Sequence, residues 1–155
     1  MRPDASLPEL ECLCASLRRA ARAVTQAYEN ELRPEGLRAT QLTLLHVLRR
    51  KGTLTQGEIG DLLALDSTTL TRTLGLMEAA GWIRWRPGED RRERHWELTA
   101  AGERKWKKAI PAWERAQAKA RARIGTREME TLLADLARVA GGARAAGAAK
   151  AGKRE

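Results

Sequence analysis

Apolar residues return every three or four positions over several long stretches of the chain and every second position over two short ones. That pattern predicts helices interrupted by one small hairpin. From about Leu7 to Leu32 the apolar seam runs through Leu10, Cys14, Leu17, Ala21, Val24 and Tyr28, the dry stripe of a helix that packs against another helix. Arg33-Pro34-Glu35-Gly36 ends it, because proline withholds a backbone donor and glycine accepts turn geometry. A second helix is expected over about Thr40 to Arg50, capped by Thr40, with Leu42, Leu45, His46 and Leu48 available for packing. Lys51-Gly52 closes it.

The middle of the chain carries sharper local signals. Thr55-Gln56-Gly57-Glu58 reads as a capping box, in which the Thr hydroxyl and the Glu carboxylate satisfy amide donors at a helix start, so a short helix over Gln56 to Leu63 follows. Asp66-Ser67 is the next start signal. On the helix from Ser67 to about Ala80, Leu70, Leu74 and Met77 share one face, while Thr68, Arg72, Gly75 and Ala79 take the other with Thr69 and Thr71 on its flanks. An outward face that is small or hydroxylated around a single Arg suits close approach to another surface. Gly81 ends this helix, Trp82 to Arg86 alternates as a strand, Pro87-Gly88-Glu89-Asp90 turns the chain, and Arg94 to Leu98 returns. Arg91 and Arg92 stand at the hairpin tip.

A second long helix after Thr99 and Gly102 has Trp106, Ile110, Trp113, Ala120 and Ile124 on its stripe, with Pro111 expected to kink it near Ile110. Gly125-Thr126 separates a last helix, about Arg127 to Ala140, striped by Met129, Leu132, Leu133, Leu136 and Val139. Beyond Gly141-Gly142 the composition collapses to small and basic residues, which predicts a disordered basic tail over 143–155. The expected organisation is an N-terminal helix in 1–35, a compact reader in 36–100, C-terminal helices in 101–142, and the tail.

Charge adds a polyanionic partner but does not locate its face. The chain has 29 Lys+Arg against 20 Asp+Glu, a net +9. Residues 36–100 hold 10 basic and 8 acidic side chains, whereas 101–155 hold 14 and 6. No apolar run is long enough to span a membrane and MRPDASLPELE lacks the pattern of a secretory leader, so a cytoplasmic, nucleoid-associated protein is expected. The chemistry of an enzyme is missing from the sequence: there is no glycine-rich phosphate loop and no Ser-centred nucleophile motif. Nothing calls for a cofactor. His46 and His95 are the only histidines, so no metal site is expected.

Two short helices followed by an arginine hairpin describe a DNA reader. Leu54 to Trp82 as a helix-turn-helix, the run Asp90-Arg91-Arg92, then Leu98-Thr99 and Gly102, resembles the MarR family of winged helix-turn-helix transcription regulators. The likeness extends in outline over residues 7–140. It implies a mainly α fold with a β-hairpin wing, flanked by N- and C-terminal helices that form a homodimer on pseudo-palindromic double-stranded DNA. Carried over by position, it places Thr68, Thr69, Thr71 and Arg72 at the major groove and Ser67 near the phosphates. Arg92 and Arg91 would enter the minor groove, with Asp90 holding Arg92 in pose. Arg84, Arg86 and Arg94 would contact phosphates. The resemblance also implies a repressor, tuned by a small aromatic effector lodged near Leu17, Ala21, His46 and Trp113.

Two alternatives stay open at this point. Cys14 on the apolar seam reads first as a small buried apolar residue. In the peroxide-sensing branch of the family, however, a cysteine near the start of the first helix reacts and a tyrosine fourteen residues later helps hold it, a spacing that Cys14 and Tyr28 reproduce. Arg18 stands where that branch has a further tyrosine. Cys12 and Cys14 are two apart on the expected helix, about 200° around its axis, so a bond between them would require that turn to melt. The other alternative, from a different class, is an architectural protein that binds DNA without a preferred site through its basic C-terminal segment.

Overall fold

The computed structural model describes residues 12–88 and 93–151, with side chains described through Gly141. Its elements are α1 (Leu13–Leu32), a 3-10 turn (Arg33–Glu35), α2 (Ala39–Lys51), β1 (Leu54–Thr55), α3 (Gln56–Leu63), α4 (Ser67–Ala79), β2 (Ile83–Pro87), β3 (Arg94–Leu98), α5 (Ala100–Ile124) and α6 (Thr126–Ala151). The fold is mainly helical with one small antiparallel sheet in the order β1-β3-β2.

One compact unit extends to Ala116 and a second begins at Gln117. The core of the first is apolar throughout, built from Leu32, Leu42, Leu44, Leu45, Leu48, Ile59, Leu70, Leu74, Met77, Ile83 and Trp96, closed by Ala109 and Ala112 of α5. The reader therefore draws on residues before 36 and after 100 for its interior. Within α2, Leu44 falls off the single expected stripe yet is buried, because α1 covers one side of this helix and β3 another. His46, expected to help pack, is exposed instead.

Three local differences have physical causes. β1 pairs Leu54 with Trp96 and Thr55 with His95, a two-residue strand too short to show alternation in the sequence. The start of α2 is met from two sides: the Glu29 carboxylate of α1 accepts the Ala39 N–H at 2.9 Å, the Gln41 side chain accepts the Arg38 N–H at 2.9 Å, and Thr40 lies inside the helix. α6 continues to Ala151 past the glycine pair where a disordered tail was expected. The alanine-rich composition there favours helix by enough to offset about 1 kcal/mol for each glycine. Residues 152–155 lie outside the described residues. α5 runs as one helix through Pro111.

The sheet is tied to α5 by a compact joint. The Thr99 hydroxyl lies 2.7 Å from the Gly81 carbonyl and 3.0 Å from that of Trp82, and it accepts the Gly102 N–H at 3.0 Å. The Thr99 N–H also donates to the Trp82 carbonyl at 3.1 Å. This joint gives the Leu98-Thr99 and Gly102 pattern its structural meaning.

Candidate nucleic-acid interface

α3 and α4 are set by their caps. The Thr55 hydroxyl accepts the Glu58 N–H at 3.2 Å while the Glu58 carboxylate accepts the Thr55 N–H at 2.7 Å. The Thr55 N–H and, at 3.0 Å, the Thr55 hydroxyl both donate to the Glu58 carboxylate and hold it below the usual carboxylate range. At α4, Asp66 accepts the Thr69 N–H at 2.9 Å and the Thr69 hydroxyl at 2.6 Å. A charge-assisted cap favours the ionised form, so the Asp66 carboxyl is held low as well, chiefly by the Thr69 hydroxyl.

This geometry divides the expected major-groove residues. The hydroxyl of Thr69 is committed to the Asp66 cap, and that of Thr71 accepts the Gln56 side-chain amide at 2.8 Å, fastening α3 to α4. Ser67, Thr68 and Arg72 are exposed on α4, whose opposite face buries Leu70, Leu74 and Met77. Leu76, one turn beyond Arg72, is exposed too.

On the sheet, one Glu97 carboxylate oxygen takes both Arg84, its cross-strand partner, and Arg86, the latter at 2.9 Å. The Arg84 hydrogen bond holds the Glu97 carboxyl below its ordinary range. Arg94 lies over the Trp85 ring, 4.7 Å from its centroid. Of the three arginines expected at phosphates, Arg84 and Arg86 are paired to Glu97, which was not among the expected site residues. The signal was present, since Arg84 and Glu97 stand opposite each other once the hairpin register is fixed. Asp90, Arg91 and Arg92 lie outside the described residues.

A separate cavity of about 430 Å³ opens between α1, α2 and α5, with Tyr28, Leu42, His46, Trp106, Ile110 and Trp113 on its walls. His46 and Trp113 were expected there. Leu17 is absent from its lining, and Ala21 lines a different, polar groove beside Arg22, Arg33 and Arg38. The cavity draws on the C-terminal turns of α1, where the helix reaches α2, and so takes Tyr28 and Leu32 instead of residues two turns earlier.

The thiols are not packed away. Cys12 is the N-cap residue of α1 and Cys14 sits in its first turn, both exposed, which corrects the expectation that Cys14 is buried on a seam. Ala21 and Val24, further along the same seam, are exposed as well. Cys14 and Tyr28 share one helix, and at 1.5 Å per residue they stand about 21 Å apart, so they do not meet within one chain. Among the described residues no three His, Cys, Asp or Glu side chains gather as a metal site, and no helix is long and apolar enough to cross a membrane.

The sequence profile of the MarR family matches residues 35–93. The helix-turn-helix transcriptional regulator YwoH of Bacillus subtilis is 36% identical over 94 residues, 61% of this chain and 69% of that protein. Among solved structures, the Mycobacterium tuberculosis transcriptional regulator MosR in complex with DNA is 38% identical with a TM-score of 0.78, covering 88% of this chain and 98% of MosR. Escherichia coli MarR, as a mutant bound to operator DNA, shares the fold with a TM-score of 0.73 at 22% identity over 82% of this chain and 92% of its own.

Proposed function

The chain belongs to the MarR family of DNA-binding transcription regulators, and from that premise we propose that it is a homodimeric repressor. It grips a pseudo-palindromic operator and releases it when a small aromatic molecule enters the cavity between α1, α2 and α5. The observation that carries the reading is the outward face of α4, where Ser67, Thr68 and Arg72 stand exposed around small neighbours. Such a face can lie in a major groove, with Arg72 aimed at a guanine edge. That MosR, 38% identical, is seen in complex with DNA supports DNA as the partner.

The exposed Leu132, Leu133, Leu136 and Val139 of α6 support the homodimer. Two copies covering these faces would set the recognition helices about 34 Å apart, one DNA turn, and any change of that separation lowers affinity. Asp90 holding Arg92 for the minor groove, with Arg91 beside it, completes the proposed contacts; phosphate contacts fall to Arg84, Arg86 and Arg94. The test is operator selection from random duplexes followed by footprinting. A two-fold footprint that survives competitor DNA is the expected result. Binding without sequence preference, abolished by deleting 143–155, would instead establish the architectural reading.

Exposure of Cys14 favours a second mode of control, in which oxidation of this thiol weakens operator binding. Peroxide treatment should then release DNA from the wild type and not from Cys14→Ser. Equal responses of the two proteins remove this reading.

A further inference from the structure

α4 carries a glycine that nothing inside the chain explains. Gly75 sits in the interior of the helix, where glycine is a poorer helix former than alanine. Its backbone is not in the left-handed region, and a Cβ built on it would meet nothing within 4 Å among the described residues. Gly60 of α3 differs, since a Cβ there would stand 3.4 Å from Leu70 Cδ2. The room kept open at position 75 is room for something outside the protomer.

Leu76, beside it, is 56% exposed and is the only large apolar side chain that α4 leaves uncovered. A single exposed leucine is ordinary on a protein surface and decides nothing alone. Its place decides more. On a helix Gly75 and Leu76 fall about 60° and 40° to either side of Arg72, so the three share the face opposite Leu70, Leu74 and Met77. Thr68, Arg72, Gly75, Leu76 and Ala79 make that face exposed over three turns, with Arg72 as its one charged side chain. A helix that enters a groove by its tip has no need to keep its third turn small and uncharged. A helix that lies along the groove does.

In the major groove a leucine can address only one base. Thymine presents a C5-methyl group there, whereas cytosine presents an amino donor that an apolar side chain would strip of water without replacing its hydrogen bond. Along the axis Leu76 stands about 6 Å beyond Arg72, close to two base-pair steps of about 3.4 Å.

We infer that Leu76 is a specificity-determining residue of α4, which packs on a thymine C5-methyl group one or two base pairs from the guanine read by Arg72, and that Gly75 lets the helix come close enough for this contact. The inference rests on the reading of α4 as the recognition helix and adds a second base to what that helix reads.

The test uses the full-length protein and an operator selected from random duplexes. Each thymine of one half-site is replaced singly by deoxyuridine, which deletes the C5-methyl group and keeps the base pair. At a thymine within about two base pairs of the guanine preference removed by Arg72→Ala, this should weaken wild-type binding about fourfold, the worth of one buried methyl group. Leu76→Ala should bind the thymine and deoxyuridine duplexes equally. Gly75→Ala should raise the denaturation midpoint, as a better helix former, and yet weaken operator binding at least about fivefold, because its methyl group overfills the contact.

A wild-type scan with no sensitive thymine, or one whose losses persist in Leu76→Ala, overturns the Leu76 contact. Unchanged operator affinity in Gly75→Ala overturns the close approach. In both cases a guanine preference abolished by Arg72→Ala leaves α4 as the reader. Unchanged operator affinity in Arg72→Ala and Leu76→Ala alike removes α4 as the reader, and this inference falls with it.

Discussion

Gly102 lies so close to Trp82 that a Cβ built on it would stand 2.0 Å from the Trp82 carbonyl oxygen. The start of α5 can approach the end of the helix-turn-helix only because that position has no side chain, and the Thr99 hydroxyl then bridges the two. An alanine in a helix ordinarily gains about 1 kcal/mol over glycine. Here backbone is in the way, so Gly102→Ala should destabilise the protein by roughly 1–3 kcal/mol, the usual cost of overpacking. Chemical denaturation of the two proteins measures the difference, and an unchanged or raised midpoint would contradict the close approach.

Arg72 is the exposed basic residue of α4, one turn into the helix from Ser67 and Thr68. Arg72→Ala should cost about 1–3 kcal/mol of operator affinity and relax preference at one base pair in each half-site. A uniform loss across all sequences would make Arg72 a phosphate ligand.

Glu97 holds Arg84 and Arg86 on the wing sheet. Replacing it as Glu97→Gln releases two guanidinium groups to the phosphates. Affinity for non-operator duplex should rise, and the slope of log K against log salt should steepen by about two, near 0.9 for each phosphate neutralised. Salt titrations of both proteins on one non-operator duplex read this directly.

The Asp66 cap makes α4 sensitive to acid. Its carboxyl is held below the usual 3.8 by the Thr69 hydroxyl and N–H. A lowered folded-state value means stability that is fully present above the unfolded value and lost as pH falls through the folded one. Wild type should therefore be more stable than Asp66→Ala at pH 7. The gap between them should close on acidification below 3.8. Thermal melts over pH 2 to 7 test it, and a constant gap would mean that the cap acts without its charge.

Leu133 of α6 is 56% exposed in the single chain. If a second copy covers it, Leu133→Lys should give monomers in sedimentation and weaken operator binding about a hundredfold or more, since the two half-sites would no longer be linked. A variant that remains dimeric would place the interface elsewhere.

Much of the reader was legible because its signals are local. The Thr55 capping box, the Asp66 start and the 3.6-residue stripe of Leu70, Leu74 and Met77 each depend on neighbours within a few positions, and each appears as expected. What was not legible involves partners far apart in sequence. Thr40 carries a good cap residue's side chain, but Glu29 of α1 reaches the α2 start instead. Tyr28 and Trp106 share a cavity only because α1 and α5 converge on α2.

The sequence by itself determined the helices, the hairpin and the outward face of α4, because propensity, capping and periodicity act within one turn or one strand pair. Tertiary structure decided which of those outward groups remain uncommitted. It fastened Thr71 to Gln56 and gathered Arg84 and Arg86 on Glu97. It also left Cys14 exposed where a seam had suggested burial. Burial and pairing are properties of which surfaces meet, and a stripe of apolar positions shows that a face seeks cover without showing what arrives to cover it.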